Sequence, residues 1–417
     1  MLKAILDSAS IKPRVCAGLL GIDYRIFHEW LVGQRPVPDY ILPELSSVLG
    51  VPPDLIIGAK STFGPSVENA PAVWFKFREG ERLIEADREI VVLIRRLGHF
   101  VDQLYQITGV RPISWRVLFD AIRGERNKQA PFKEQGRKSA RLLSAERQFT
   151  YPREGVGGAI WGTGDIFRNN LRSLGILVIE SPVPSSNLEG CSFYVGPPGA
   201  ERPCIFANTY QQTWFRRNTV LMHELAHAIF DIENDAASLD FKEDEERSRQ
   251  AEEQRAQAFA HEVFASKEIL HHMAQTKGLR WDGLTVRALA TLVAFTQVEQ
   301  KSVIQAALEA GFINAHLAAE YARYEIHDEL KELTDRALST NEYFATKGIA
   351  PTVEWSAEKR TTSIPARALR LPVPYVGRVL ELLKAGRITR RKAMQFLMID
   401  EDVFRSRFGE LVPEVAL

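Results

Sequence analysis

The chain has 417 residues, of which 45% are hydrophobic and 25% charged, enough for two to four folded domains of ordinary composition. Lys+Arg and Asp+Glu both number 53, so no overall basic bias points to nucleic acid. No run of about eighteen apolar residues could span a membrane, and the N-terminus lacks a charged region followed by an apolar core and a small-residue cleavage site, so the expectation is a cytoplasmic protein with no membrane partner. The three cysteines, Cys16, Cys191 and Cys204, lack paired metal spacing and read as packing residues in a reduced compartment.

In chain order, residues 1–60 form a first unit of short helical patterns closed by glycine and proline, with a boundary expected near 60–72. A helix over Leu2–Asp7 is followed by one through Val15–Leu20, a turn at Gly21, an Asp23 cap, and a helix over Tyr24–Val32 that stops at Gly33. Further helices are predicted from Tyr40 to Leu49 and over Val51–Ile57. This grammar resembles the five-helix Cro/repressor-like (XRE) helix-turn-helix fold. That resemblance implies DNA as a partner: Tyr24, Arg25 and His28 would face the major groove and Arg35 a phosphate. Acidic Asp7, Asp23, Glu29, Asp39 and Glu44 offset the local bases, so nonspecific DNA affinity is expected to be modest, and a protein-interaction role for the same unit stays open.

Residues 61–134 read as a helical connector, with Ile90–Ile94, Leu97, Phe100, Val101, Leu104 and Tyr105 as its apolar stripe. The basic stretch Arg123–Arg141 reads as a solvated linker, with nucleic-acid contact as the alternative. A helix over Asp165–Leu174 is expected after the glycine-rich turn at Gly155–Gly164.

The most informative stretch is Val220–Phe230, where His223-Glu224-x-x-His227 lies inside an apolar helical run. Histidines four apart share one helix face, so both imidazoles can reach one metal ion, and Glu224 sits beside them. Catalytic zinc needs a third protein ligand. In the helix beginning near Ala251, Ala256 and Ala260 form a small-residue stripe that allows close helix approach, with Glu253 one turn before it. This favours Glu253 over Glu252 and Glu262, against its being one more solvated carboxylate in an acidic region.

These residues resemble the ImmA/IrrE metallopeptidases, whose pattern pairs a His-Glu-x-x-His helix with a later Glu-x-x-Ala-x-x-Phe-Ala, here Glu253-x-x-Ala256-x-x-Phe259-Ala260. Strand-like Leu174–Ile179 and Pro203–Asn208 resemble further pieces of that family. The resemblance spans about residues 135–275 and implies one Zn2+ per chain held by His223, His227 and Glu253, with Glu224 as general base. Asn208, Tyr210 and His261 are weaker candidates for stabilising an oxyanion.

Beyond this core, Val286–Ala310 and Ala315–Leu338 read as two long amphipathic helices, and Val376–Phe408 as helices joined at Gly386–Thr389 with another starting at Ile399-Asp400. The expected fold is multidomain and mainly α. It comprises a helix-turn-helix unit at 1–60, a connector at 61–134, a zincin-like α+β peptidase core with a small β-sheet at 135–280, and a helical region at 281–417. The expected function is a zinc-dependent endopeptidase whose protein substrate, by kinship a transcriptional repressor, is cleaved to control gene expression. The alternative is a DNA-binding regulator with a structural or sensory zinc site and little peptidase activity.

Overall fold

The computed structural model describes residues 2–8, 12–20, 22–42, 45, 49, 56–57, 85–109, 115–125, 127, 129–145, 163–181, 183, 188–195, 202–210, 212–231, 238–241, 251–334, 371, 373–399 and 401–408. The expected boundary segment 60–72, the turn before residue 163 and the stretch 341–365 lie outside the described residues.

The centre is a four-stranded mixed sheet in the order β1-β3-β2-β4, where β1 is Leu177–Ser181, β2 Leu188–Val195, β3 Arg202–Asn208 and β4 Ser238–Phe241. β1 runs parallel to β3, and β2 is antiparallel to both β3 and β4. β3 is buried on both faces, so alternation sorts its apolar side chains between two cores. Cys204 and Phe206 join Leu177, Ile179, Cys191, Phe193 and Val195 in one core, while Ile205 and Ala207 join Ile176 and Val178 in the other. All three cysteines are buried and unbridged, as expected of packing residues.

The first core also holds helices α1 (Leu2–Ser8), α2 (Pro13–Leu19), α3 (Tyr24–Leu31) and α4 (Glu85–Thr108). Asp23 caps α3 as anticipated, its carboxylate accepting from the Arg25 amide at 2.8 Å. In the region expected to carry the fourth and fifth N-terminal helices, Leu42, Leu45, Leu49, Ile56 and Ile57 are helical. α4 meets β2 where Gly98 abuts Val195: a Cβ on Gly98 would come within 2.5 Å of that valine. The C-terminal helices α15 (Val373–Lys384), α16 (Arg390–Leu397) and α17 (Glu401–Phe408) share this core, with Phe396 edge-on to Phe100 at 5.4 Å.

The second core packs α5 (Trp115–Gly124), α6 (Phe132–Ala145), α7 (Thr163–Ser173), α8 (Trp214–Phe230) and α9 (Ala251–Ala265) on the other sheet face. It continues without a break through α10 (Lys267–Lys277), α11 (Val286–Thr296), α12 (Gln300–Glu309), α13 (Ala315–Tyr321) and α14 (His327–Thr334).

Several expectations are corrected. The basic stretch up to Arg141 is no solvated linker: much of it is α6, lying along α9, with Arg137 paired to Glu309 and Arg141 to Glu262. The approach is close because Gly136 stands where a Cβ would come within 2.3 Å of the Arg255 carbonyl oxygen. The single helix expected over 286–310 is two. Gln297 takes the left-handed conformation at φ 57° and donates its amide to the Val293 carbonyl, while its own carbonyl accepts from the Asn218 side chain at 2.9 Å. The helix expected over 315–338 likewise stops at Tyr321, where the Gln300 amide caps the carbonyls of Tyr321 and Tyr324. The strand read at 174–179 begins at Leu177, and β2 and β4 were not anticipated.

α7 is tied to β1 by a two-pronged ion pair in which Arg168 Nε and Nη2 each lie 2.7 Å from a Glu180 oxygen. Burial pushes the Glu180 carboxyl up, but Arg168, with Arg217 and Arg172 beyond it, outweighs that and holds it at about 2, against an ordinary 4.5. Because the folded value is the lower one, this pair stabilises fully above about pH 4.5 and its contribution is lost as pH falls through 2. We expect Arg168→Met to cost on the order of 2 kcal/mol at neutral pH. In thermal melts the gap to wild type should narrow steadily below pH 5; a gap independent of pH would exclude the ion pair as its source.

Candidate metal centre

α8 starts at Thr213, whose hydroxyl accepts from the Arg216 amide at 3.2 Å, and is pinned to β2 by Arg216, which grips Glu189 with both Nε and Nη2 at 2.5 Å. Its far end is held as firmly. Tyr194 of β2 donates its hydroxyl to the Ala228 carbonyl at 3.1 Å, and Arg123 of α5 donates to the Ile229 carbonyl. Two carbonyls of the last turn are thus satisfied by neighbouring elements. Most of the remaining surface of α8 is apolar and buried, including Val220, Leu221, Met222, Leu225, Ala226 and Ile229.

On this anchored helix His223 and His227 stack one turn apart, with Nε2 atoms 3.0 Å from each other. α9 crosses alongside through its Ala256–Ala260 stripe and brings Glu253 Oε2 to 3.1 Å from His223 Nε2 and 3.5 Å from His227 Nε2. Among the described residues these three form a group whose donor atoms lie within 4.8 Å of one another. A tetrahedral ion with ligands at about 2.0–2.1 Å has ligand–ligand edges of about 3.3 Å, so separations of 3.0, 3.1 and 3.5 Å suit it. Two imidazoles and one carboxylate are a zinc-type donor set, and three protein ligands leave a fourth position open.

The electrostatics favour a cation at this point. Burial raises the Glu253 carboxyl, but hydrogen bonding and charge from His223 and His227 outweigh it and hold the group far below the carboxylate range. Burial alone would lower His227, yet Asp231, Glu253 and Glu224 push it up to about 10.

Glu224 is fully buried on the sheet side of α8. It fits because residue 190 of β2 is glycine: a Cβ there would come within 2.7 Å of Glu224 Oε1 and 2.8 Å of Val220 Cγ1. Gly190 also sits at the register irregularity between β2 and β4. Sequence reasoning missed this residue, and it also missed Asp231, whose Oδ2 lies 2.8 Å from His227 Nδ1.

The weaker site candidates separate. Asn208 is a structural residue: its amide group bonds Val183 N and O, Leu188 O and the Tyr210 amide, all within 3.1 Å. His261 contacts Ser302 Oγ at 3.2 Å, and burial brings its pKa down to about 4. The Tyr210 amide donates to Asn208 Oδ1 at 3.1 Å. In the N-terminal unit, Tyr24, Arg25 and His28 lie exposed along α3, and Arg35, also exposed, is 3.9 Å from Glu29. The Arg14 guanidinium stacks over the Tyr24 ring at 5.1 Å.

Residues 171–295 match the family model of the IrrE N-terminal-like domain, peptidase family M78. The matched stretch contains the whole sheet, α8 and α9, and therefore all three converging donors together with Glu224. That family points to a metallopeptidase. Neither the curated proteins nor the solved structures yield a match to the chain. Among the described residues no helix is long and apolar enough to cross a membrane.

Proposed function

We propose that the chain is a zinc-dependent endopeptidase that cleaves a protein partner, a transcriptional repressor, and thereby controls gene expression. The observation that carries this reading is the convergence of His223, His227 and Glu253 beside Glu224 within a peptidase-family domain. Three ligands among the described residues, rather than four, suit a catalytic site, since a structural zinc is closed by a fourth protein donor. A zinc ion held there supplies Lewis acidity, which acidifies water and polarises a peptide carbonyl. Glu224 takes the proton from the attacking water and hands it to the leaving amine nitrogen. Its burial keeps the carboxylate away from bulk water, and Gly190 leaves the room it needs.

The peptidase domain in this reading is 135–280, and the helices from Trp115 to Thr334 share its core on the metal side of the sheet. The N-terminal unit, with Tyr24, Arg25 and His28 exposed along one helix, is assigned to DNA, and Arg35 to a phosphate. A second reading, a DNA-binding regulator with a sensory or structural zinc, is favoured by the near-complete burial of His227 and Glu224.

The test is cleavage of a repressor supplied with the purified chain. Proteolysis abolished by a chelator and restored by zinc supports the endopeptidase, whereas zinc-dependent promoter binding without any cleavage supports the second reading. Gly190→Ala should retain zinc yet lose about 10–100-fold in kcat, because its methyl group displaces Glu224. Unchanged kcat in that variant would remove Glu224 from the proton-transfer role.

A further inference from the structure

The last turn of α8 carries a charge that the helix itself does not want. Asp231 is its C-cap, where the carbonyl end of the helix dipole disfavours an anion, yet its side chain is almost fully buried there. Both carboxylate oxygens are engaged. Oδ2 lies 2.8 Å from His227 Nδ1, and Oδ1 pairs with Arg255 Nη2. Arg255 belongs to α9, two residues beyond Glu253, and its guanidinium lies between the Phe230 ring at 5.0 Å and the Phe132 ring at 5.2 Å. The same turn of α9 is where Gly136 of α6 comes against the Arg255 carbonyl. His227, Asp231 and Arg255 therefore form one buried chain linking the two helices that supply the converging donors.

We propose that Asp231 and Arg255 are positioning residues for the metal site. Asp231 accepts a hydrogen bond from His227 Nδ1–H, which leaves Nε2 as the ligand atom, and Arg255 fixes Asp231 while holding α9 in the register that presents Glu253. This rests on the zinc-peptidase reading above. Neither residue is one of the converging donors. The anion at an unfavourable helix end is explained by its service to His227, and the arginine in an apolar sandwich by its service to Asp231.

The experiment measures zinc dissociation constants of the full chain by competition with a chromogenic chelator, with far-UV circular dichroism of each variant without metal. Asp231→Ala should weaken zinc binding 10–100-fold while the helical spectrum persists. Asp231→Asn, which keeps the size and an oxygen acceptor, should recover part of that loss and serves if the alanine variant fails to fold. Arg255→Met should also weaken zinc binding, and its effect should overlap with that of Asp231→Asn in the double variant instead of multiplying. Folded variants that bind zinc within two- to three-fold of wild type, or losses that simply multiply, would overturn the proposal. A wild-type chain that takes up no zinc would overturn the zinc-peptidase reading itself, an outcome visible before any variant is compared.

Discussion

Glu224→Gln should lower kcat for peptide cleavage by about 10²–10⁴-fold while zinc content and melting temperature stay close to those of wild type. The expected separation follows from where the residue sits. Glu224 is fully buried beside Gly190 and is outside the group of three donor residues, so an amide of the same shape keeps the packing and the ligands. Removing a buried negative charge relieves desolvation, and the structural cost is therefore small. What is lost is a group that can take a proton from water and return it to the leaving amine. Single-turnover cleavage with elemental analysis on the same preparation checks this. A variant with near-normal kcat would show that the proton is carried elsewhere, and one that loses its metal would make Glu224 part of the metal-holding structure.

Removal of zinc should cost stability as well as activity. A metal that binds only the folded chain contributes about 4 kcal/mol when present at a thousand times its dissociation constant. For a unit of about 200 residues each kcal/mol moves the melting temperature by about 2–4 °C, so exhaustive chelation should lower it by about 10 °C. The structural basis is the convergence of His223, His227 and Glu253 on one buried locus, with the buried Glu224 beside them. Zinc should restore the transition, and magnesium, a hard ion that prefers oxygen ligands, should not. Melting curves unchanged by chelation would mean that the three donors are held together by packing and hydrogen bonds alone.

The metal-binding face was readable because it is local. His223 and His227 are four apart on a helix, and the Ala256–Ala260 stripe beside Glu253 marks a close helix contact. Asp231 was readable on the same grounds, four residues beyond His227, and was missed. Long-range pairings leave no such trace. Gly190 breaks the alternation that would have betrayed β2, and its reason is Glu224, more than thirty positions away. The basic α6 looked like a linker because its carboxylate partners, Glu262 and Glu309, lie on helices far along the chain. The break at Gln297 was hidden because apolar periodicity continues across it and the side chain that fixes it belongs to Asn218. The N-terminal helices were legible from caps and glycine stops, Asp23 and Gly33 among them, which are again local signals.

The measurement that bears most directly on the central claim is the zinc content of the purified full chain and of Glu253→Ala, determined by elemental analysis at equal protein concentration without chelator. About one zinc per wild-type chain, falling sharply in the variant, is the expected result and makes Glu253 the third ligand. A wild-type chain that holds no zinc even after it is supplied would contradict the account and leave the converged His223, His227 and Glu253 as a buried hydrogen-bonded cluster.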